Sequence, residues 1–135
     1  MKLSVVVLEN NNNILMYNRG SFLNEEWTVL GWHMNPGESI FECAKREVME
    51  EANIEIEHLR FLTILEDKIN WYLSFYILAQ YKSGRLYGNI DEKIESLKWV
   101  GIDNFPKELY WPFRRFFTGE NIHWKNIYEL LRDLK

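Results

Sequence analysis

Cysteine is almost missing from this chain: Cys43 is the single one in 135 residues. An internal disulfide is therefore excluded, and a reducing, cytoplasmic compartment is expected. No apolar run approaches the roughly 18 residues that a membrane-spanning helix needs. The opening MKLSVVVLENNN has only a short apolar stretch, closed by Glu and Asn, too short for a secretory leader. Positive charge is also in short supply. Lys and Arg total 16 against 20 Asp and Glu, a net charge of −4. A surface for nucleic-acid polymers carries a basic stripe, and Arg114 with Arg115 does not make one. Neither a nucleic-acid polymer nor a membrane is expected as a partner. An acidic chain can still take a polyphosphate where metal ions mediate the contact.

What the chain does have is apolar and aromatic mass. Apolar residues reach 47%, which rules out a disordered chain, and aromatics reach 16%. The length suits one domain, residues 1–135, with a real core. The aromatics can fill that core or stack on a ring-bearing ligand.

Leu3 to Leu8 reads as a buried strand. The Asn-rich patch from Asn10 to Asn13 reads as a hairpin turn, because Asn tolerates left-handed backbone. Ile14 to Tyr17 is the returning strand, Asn18 to Glu26 a loop, and Trp27 to Leu30 a short strand. A Pro-Gly turn at Pro36 and Gly37 precedes a helix starting at Ser39, where Ser39 and Glu42 have capping-box spacing. Ile40, Phe41, Ala44, Val48 and Ala52 are expected to form its apolar stripe, with Cys43, Glu47, Glu50 and Glu51 around another face. Asn53 suits a left-handed helix stop. Ile54 to Leu65 and Trp71 to Tyr81 read as long strands joined near Asp67 to Asn70. Lys82 to Ile90 reads as a loop and Glu95 to Val100 as a strand. Leu109 to Phe117 and Ile122 to Leu134 read as helices. Strands on both sides of a central helix indicate a mixed α/β sandwich.

The chemistry concentrates on that central helix. Glu47, Glu50 and Glu51 stand at i, i+3 and i+4, which stacks three like charges on one face. Such repulsion is tolerable where a cation resides, and a hard, oxygen-seeking divalent ion fits carboxylate donors. The plain alternative is a solvated acidic face. His33, His58 and His123 lack metal-ligand spacing, and Cys43 reads as a small buried thiol rather than a nucleophile. No GxSxG elbow, P-loop or zinc-binding cysteine spacing occurs.

Gly31 to Ile54, GWHMNPGESIFECAKREVMEEANI, resembles the Nudix box. Gly37 and Glu38, followed by Arg46-Glu47-Val48-Met49-Glu50-Glu51, stand in its register. Trp27 to Leu30 sits where such proteins carry the strand into the box. Glu92-x-x-Glu95 followed by Trp99 resembles their later acidic segment. The resemblance implies an α/β/α sandwich with a central mixed sheet and the box as a loop–helix–loop. It implies hydrolysis of a nucleoside diphosphate linked to another moiety, with Mg²⁺ or Mn²⁺. Glu47 and Glu51 are then the expected metal ligands, Glu50 a third ligand or the group that activates water, and the Gly31 carbonyl a further donor. Glu38 and Arg46 are expected to brace the ligands. Trp27, Trp32 and Tyr72 are candidate substrate contacts, and Glu92 and Glu95 candidate additional acids.

Three positions depart from the box. Trp32 replaces its first Gly, Asn35 stands where many members carry Glu, and Asn53 replaces the Gly near the helix end. Trp32 would be strained if that position required positive φ. These departures keep a second reading open: a catalytically weak or inactive nucleotide-binding module of the same fold. A structural interaction domain is a third. Tyr72 lies near where dinucleoside-polyphosphate hydrolases of the family carry a Tyr, and no proline signature of the ADP-ribose class matches. The box leaves the leaving group undefined. A homodimer is compatible with the sequence, though no motif calls for one.

Overall fold

A computed structural model describes residues 2–9, 12–18, 26–67, 72–86 and 97–101, the side chains of 65–67 and 72 excepted. Among the described residues the strands are β1 (Lys2–Leu8), β2 (Asn13–Asn18), β3 (Trp27–Thr28), β4 (Leu30–His33), β5 (Ile54–Asp67), β6 (Tyr72–Gly84) and β7 (Leu97–Gly101), with one helix, α1 (Ile40–Ala52), between β4 and β5. They form a mixed sheet of seven strands ordered β3-β2-β1-β6-β5, with β4 on β1 and β7 on β2. The β1–β6 pair is parallel and the others are antiparallel.

The Val-rich β1 lies at the centre because both of its faces are apolar. Leu3, Val5 and Val7 join Leu15, Ile77 and Ala79 under α1, where Cys43, Ala44, Val48 and Ala52 pack. By strand alternation Val6, Leu8, Ile14, Met16 and Leu78 point the other way, and all are buried. Burial on both faces is the pattern of a sheet covered on both sides. Each fully buried aliphatic side chain contributes roughly 1.5–3 kcal/mol, an upper range because the unfolded chain is not fully extended. The expected helices at Leu109 to Phe117 and Ile122 to Leu134 lie outside the described residues. So do most of the Asn18 to Glu26 loop, and Glu92, Glu95 and His123.

One feature of the topology creates the site. A single edge of β1 is shared: Lys2 to Val5 pair with β4, while Leu8 pairs with β2. Two strands on one edge must diverge, and a fork opens between them. β2 carries β3 and β7 on its two sides, with Tyr17 opposite both Thr28 and Leu97.

The structure revises several boundaries. The single strand expected at Trp27 to Leu30 is two, and β4 extends through Trp32 to His33. The expected loop from Lys82 starts later, because β6 runs to Gly84 opposite Ile54. Gly84 (φ 102°) makes this possible, since a Cβ there would lie 2.7 Å from the Asn53 carbonyl oxygen. β5 bulges between Glu57 and Arg60, with His58 at φ 53°. The Asn-rich turn is present: Asn12 has φ 62°, and its N–H donates to the Glu9 carbonyl at 3.2 Å.

Candidate active site

The loop into α1 is shaped by Pro36 and Gly37. Gly37 has φ 82°, and the Glu38 N–H donates to the Asn35 carbonyl at 3.3 Å. Pro followed by positive-φ Gly is the signature of a type II turn. Ser39 then serves as N-cap with extended backbone but no side-chain capping bond, so the expected capping box does not form. Glu42 faces Lys45 instead, 3.8 Å away. Asn53 ends the helix in the left-handed conformation (φ 61°, ψ 32°), its N–H bonded to the Met49 carbonyl at 3.0 Å. Its side chain donates to the Arg85 carbonyl at 3.0 Å. Asn therefore performs the capping that the missing Gly would perform.

One expectation for the helix face changes: Phe41 is 40% exposed, whereas Ile40 packs against the core as expected. Cys43 is fully buried, the small buried thiol expected from the sequence. At about 100° per residue, Glu47 and Glu51 fall between Cys43 and Val48, inside the arc that faces the sheet. Glu47 is accordingly only 19% exposed in its side chain, whereas Glu50 is 57% exposed. The acidic ridge is thus split: two carboxylates are drawn inward and one faces out.

Arg46 ties part of this ridge to the loop. Its Nη2 donates to Glu38 Oε1 at 2.6 Å and its Nε to the same oxygen at 3.2 Å. Nη1 lies 3.1 Å from Glu47 Oε1 and 3.3 Å from both oxygens of Glu50. One guanidinium therefore gathers three carboxylates from two segments, a task for which its planar fork suits it. The Arg46 bond, aided by the Cys43 thiol, holds the Glu38 carboxyl below the usual carboxylate range. Glu38 Oε2 is buried without a well-formed hydrogen bond. Burial, with Glu38 beside it, pushes the Cys43 thiol up to about 11.

The other part of the ridge faces the fork. A cavity of about 480 Å³ is lined by Lys2, Tyr17, Thr28, Val29, Leu30, Gly31, Trp32, Glu51 and Leu97. Gly31 and Glu51, near the two ends of the box, thus meet in one space. Trp32 lines it from β4, opposite Leu3 and with no positive φ, so the feared backbone strain is absent. Trp27 does not line it: that ring is 4% exposed, with Lys98 Nζ 4.0 Å from its centroid. Tyr72 begins β6 opposite Asp67, and its side chain lies outside the described residues. Lys2, Tyr17 and Leu97 escaped the sequence reading because only strand register brings them to the box.

The donors fit a hard divalent cation. Glu47 is a largely covered carboxylate and Glu51 lines the cavity beside Gly31, both hard oxygen donors. They are not gathered into a finished cage. Among the described residues no three His, Cys, Asp or Glu side chains converge closely enough to hold an ion. Glu47 and Glu50 are turned to Arg46 instead.

Comparison with known proteins places the chain in a family. The family model described as the NUDIX domain matches residues 2–118. The chain belongs to the Nudix family. It is 28% identical over 102 residues to a protein named NAD-capped RNA hydrolase NudC from Pseudomonas syringae pv. tomato, an alignment covering 76% of this chain and 36% of the relative. The chain thus spans little more than a third of the length of such curated relatives. Among solved structures, a NUDIX hydrolase from Nitrosomonas europaea superposes with a TM-score of 0.58 at 26% identity, over 76% of this chain and 72% of that one. A MutT NUDIX hydrolase from Burkholderia pseudomallei gives 0.69 at 21% identity, over 84% and 91%, and speaks to the fold alone. Among the described residues no helix is long and apolar enough to cross a membrane.

Proposed function

We propose that this protein is a pyrophosphohydrolase dependent on Mg²⁺ or Mn²⁺. It cleaves a nucleoside diphosphate linked to another moiety, by attack of water on phosphorus. The observation that carries this reading is the meeting of Gly31 and Glu51 in a cavity of about 480 Å³, within the range of small-molecule sites. The NudC name borne by a relative supports a dinucleotide-like substrate class.

Glu47, Glu51 and the Gly31 carbonyl would hold the ion, with Glu50 either a third carboxylate ligand or the group that activates water. When bound, such an ion would supply Lewis-acid chemistry, offsetting phosphate charge and making water more acidic. The chain's own residues do the rest. Glu50, the outward carboxylate, accepts the proton of the attacking water. Arg46, anchored by Glu38, braces Glu47 and Glu50 at 3.1–3.3 Å and fixes where those carboxylates can swing. Trp32 and Tyr17 offer aromatic surface to a base or sugar. Apolar Val29, Leu30 and Leu97 limit water around the linkage.

The test is a turnover screen with Mg²⁺ and Mn²⁺ across NADH, dinucleoside polyphosphates, nucleoside triphosphates and nucleotide sugars. Products are separated by anion exchange. A nucleoside monophosphate and a second phosphorylated product are expected. Glu51→Gln should lower turnover by at least about 100-fold, as loss of a ligand exceeds loss of its supporting partners. Unchanged turnover in both Glu50→Gln and Glu51→Gln contradicts the assignment. A second reading, a nucleotide-binding module without turnover, draws on Arg46 holding Glu47 and Glu50 and on Asn35 in the loop. Tight nucleotide binding with no product after long incubation would establish it.

A further inference from the structure

The cavity faces a charge problem that the box does not solve. Its substrate, on the reading above, carries a pyrophosphate, yet Glu51 lines the space and Glu47 and Glu50 lie on the same helix. Arg46 cannot balance them at the phosphate. It is bound to Glu38, Glu47 and Glu50 and is not among the lining residues. Among the described residues that line the cavity, Lys2 is the one cation.

Lys2 is placed there by register. It opens β1, paired with His33 of β4 on one side and Ser74 of β6 on the other. Its stem crosses Gly31, with Cε 3.1 Å from where a Gly31 Cβ would sit. The missing side chain at Gly31 thus makes room for a lysine arm in the cavity that Gly31 and Glu51 share. An ammonium on a flexible stem is a compact point charge with three donors, suited to phosphate oxygens.

We propose that Lys2 is a phosphate-binding residue: its ammonium contacts a non-bridging oxygen of the substrate's pyrophosphate and offsets the charge of Glu51. This rests on the pyrophosphohydrolase reading and adds to it a residue far outside the box.

The test uses the full chain and α,β-methylene-ADP, a non-hydrolysable diphosphate, titrated calorimetrically with Mg²⁺. Lys2→Met should weaken binding about tenfold, the scale of one hydrogen bond to a charged group. Lys2→Arg should recover most of it. Adenosine, which has no phosphate, should bind wild type and Lys2→Met alike. The salt dependence of diphosphate binding should be shallower in Lys2→Met, which a merely structural lysine would not produce. Lys2→Gln replaces Lys2→Met if the latter melts early. In kinetics the loss should fall on KM more than on kcat. Equal diphosphate affinity in wild type and the neutral variants overturns the proposal while leaving the hydrolase reading intact. A wild type that neither binds the diphosphate nor hydrolyses any substrate of the screen overturns both.

Discussion

Replacing Gly84 by Ala tests how the long hairpin holds the box. Gly84 has φ 102°, and a Cβ there would lie 2.7 Å from the Asn53 carbonyl oxygen and 3.0 Å from Ile54 Cα. Both neighbours are backbone, so no side-chain rotation relieves the clash. Gly37 is the matched control: its φ is 82°, with nothing within 4 Å of the added carbon. Gly37→Ala isolates the backbone strain, roughly 1–2 kcal/mol. Gly84→Ala adds overpacking of roughly 1–3 kcal/mol, for a total of roughly 2–5 kcal/mol. For a domain of this size each kcal/mol moves Tm by about 4 °C, so losses of about 4–8 °C and about 8–20 °C are expected. Urea titration with linear extrapolation supplies the free energies independently of temperature. Turnover should fall in Gly84→Ala even where it remains folded, because Asn53 caps the helix end that carries Glu50 and Glu51. Equal destabilisation by the two substitutions would refute the claim that Asn53 and Gly84 are in enforced contact.

Glu38→Gln should lower turnover by about 10–100-fold, the usual cost of losing a residue that braces ligands, in steady-state assays. It should also change the acid response. The folded pKa of Glu38 is depressed below its ordinary value of 4.5, so its stabilisation is complete above that value and lost as pH falls through the lower one. Melting points recorded from pH 6 downward should therefore fall less steeply in Glu38→Gln than in wild type. Cys43 is buried with its thiol raised to about 11 from 9.0. Its contribution is fully present below 9 and fades as pH rises through 11, so DTNB at pH 8 should label it slowly until denaturant is added. Gly31→Ala should destabilise by roughly 1–3 kcal/mol in urea unfolding, since the added carbon meets the Leu3 carbonyl oxygen at 3.1 Å. EDTA should abolish turnover and added Mg²⁺ or Mn²⁺ restore it.

The parts of this fold that were legible are those set by local chemistry. The apolar run of β1, the Pro36–Gly37 turn and the Asn53 cap depend on a few adjacent residues, and each forms where the pattern places it. The helix phase was harder. Phe41 is exposed although it was expected in the apolar stripe, because packing against the sheet rather than hydrophobicity alone decides which residues are covered. Strand ends were hardest. β6 continues to Gly84 only because β5 offers a partner and Gly84 can approach Asn53, and neither fact is local. Tyr17 and Lys2 reach the cavity by pairing with β3, β7 and β4, a long-range register that no window of sequence contains.

That division clarifies how an acidic helix can fold before it has a ligand. Like charges at i, i+3 and i+4 weaken a helix, yet α1 runs unbroken from Ile40 to Ala52. Arg46 supplies the compensation from within the same helix, engaging Glu47 and Glu50 while anchoring to Glu38 in the loop. Glu51 receives no such partner from Arg46 and is turned to the fork instead. The arrangement keeps one guanidinium on the solvent side and leaves the cavity side for cations that act on substrate. An Arg46→Met substitution should therefore have two separable effects. It should destabilise the ion-free protein, since three clustered carboxylates lose their shared counter-charge. Saturating Mg²⁺ should then raise the melting point of Arg46→Met by more than that of wild type, because the ion takes over the neutralisation. Identical Mg²⁺-induced shifts in the two proteins would show that Arg46 and the ion do not share those carboxylates.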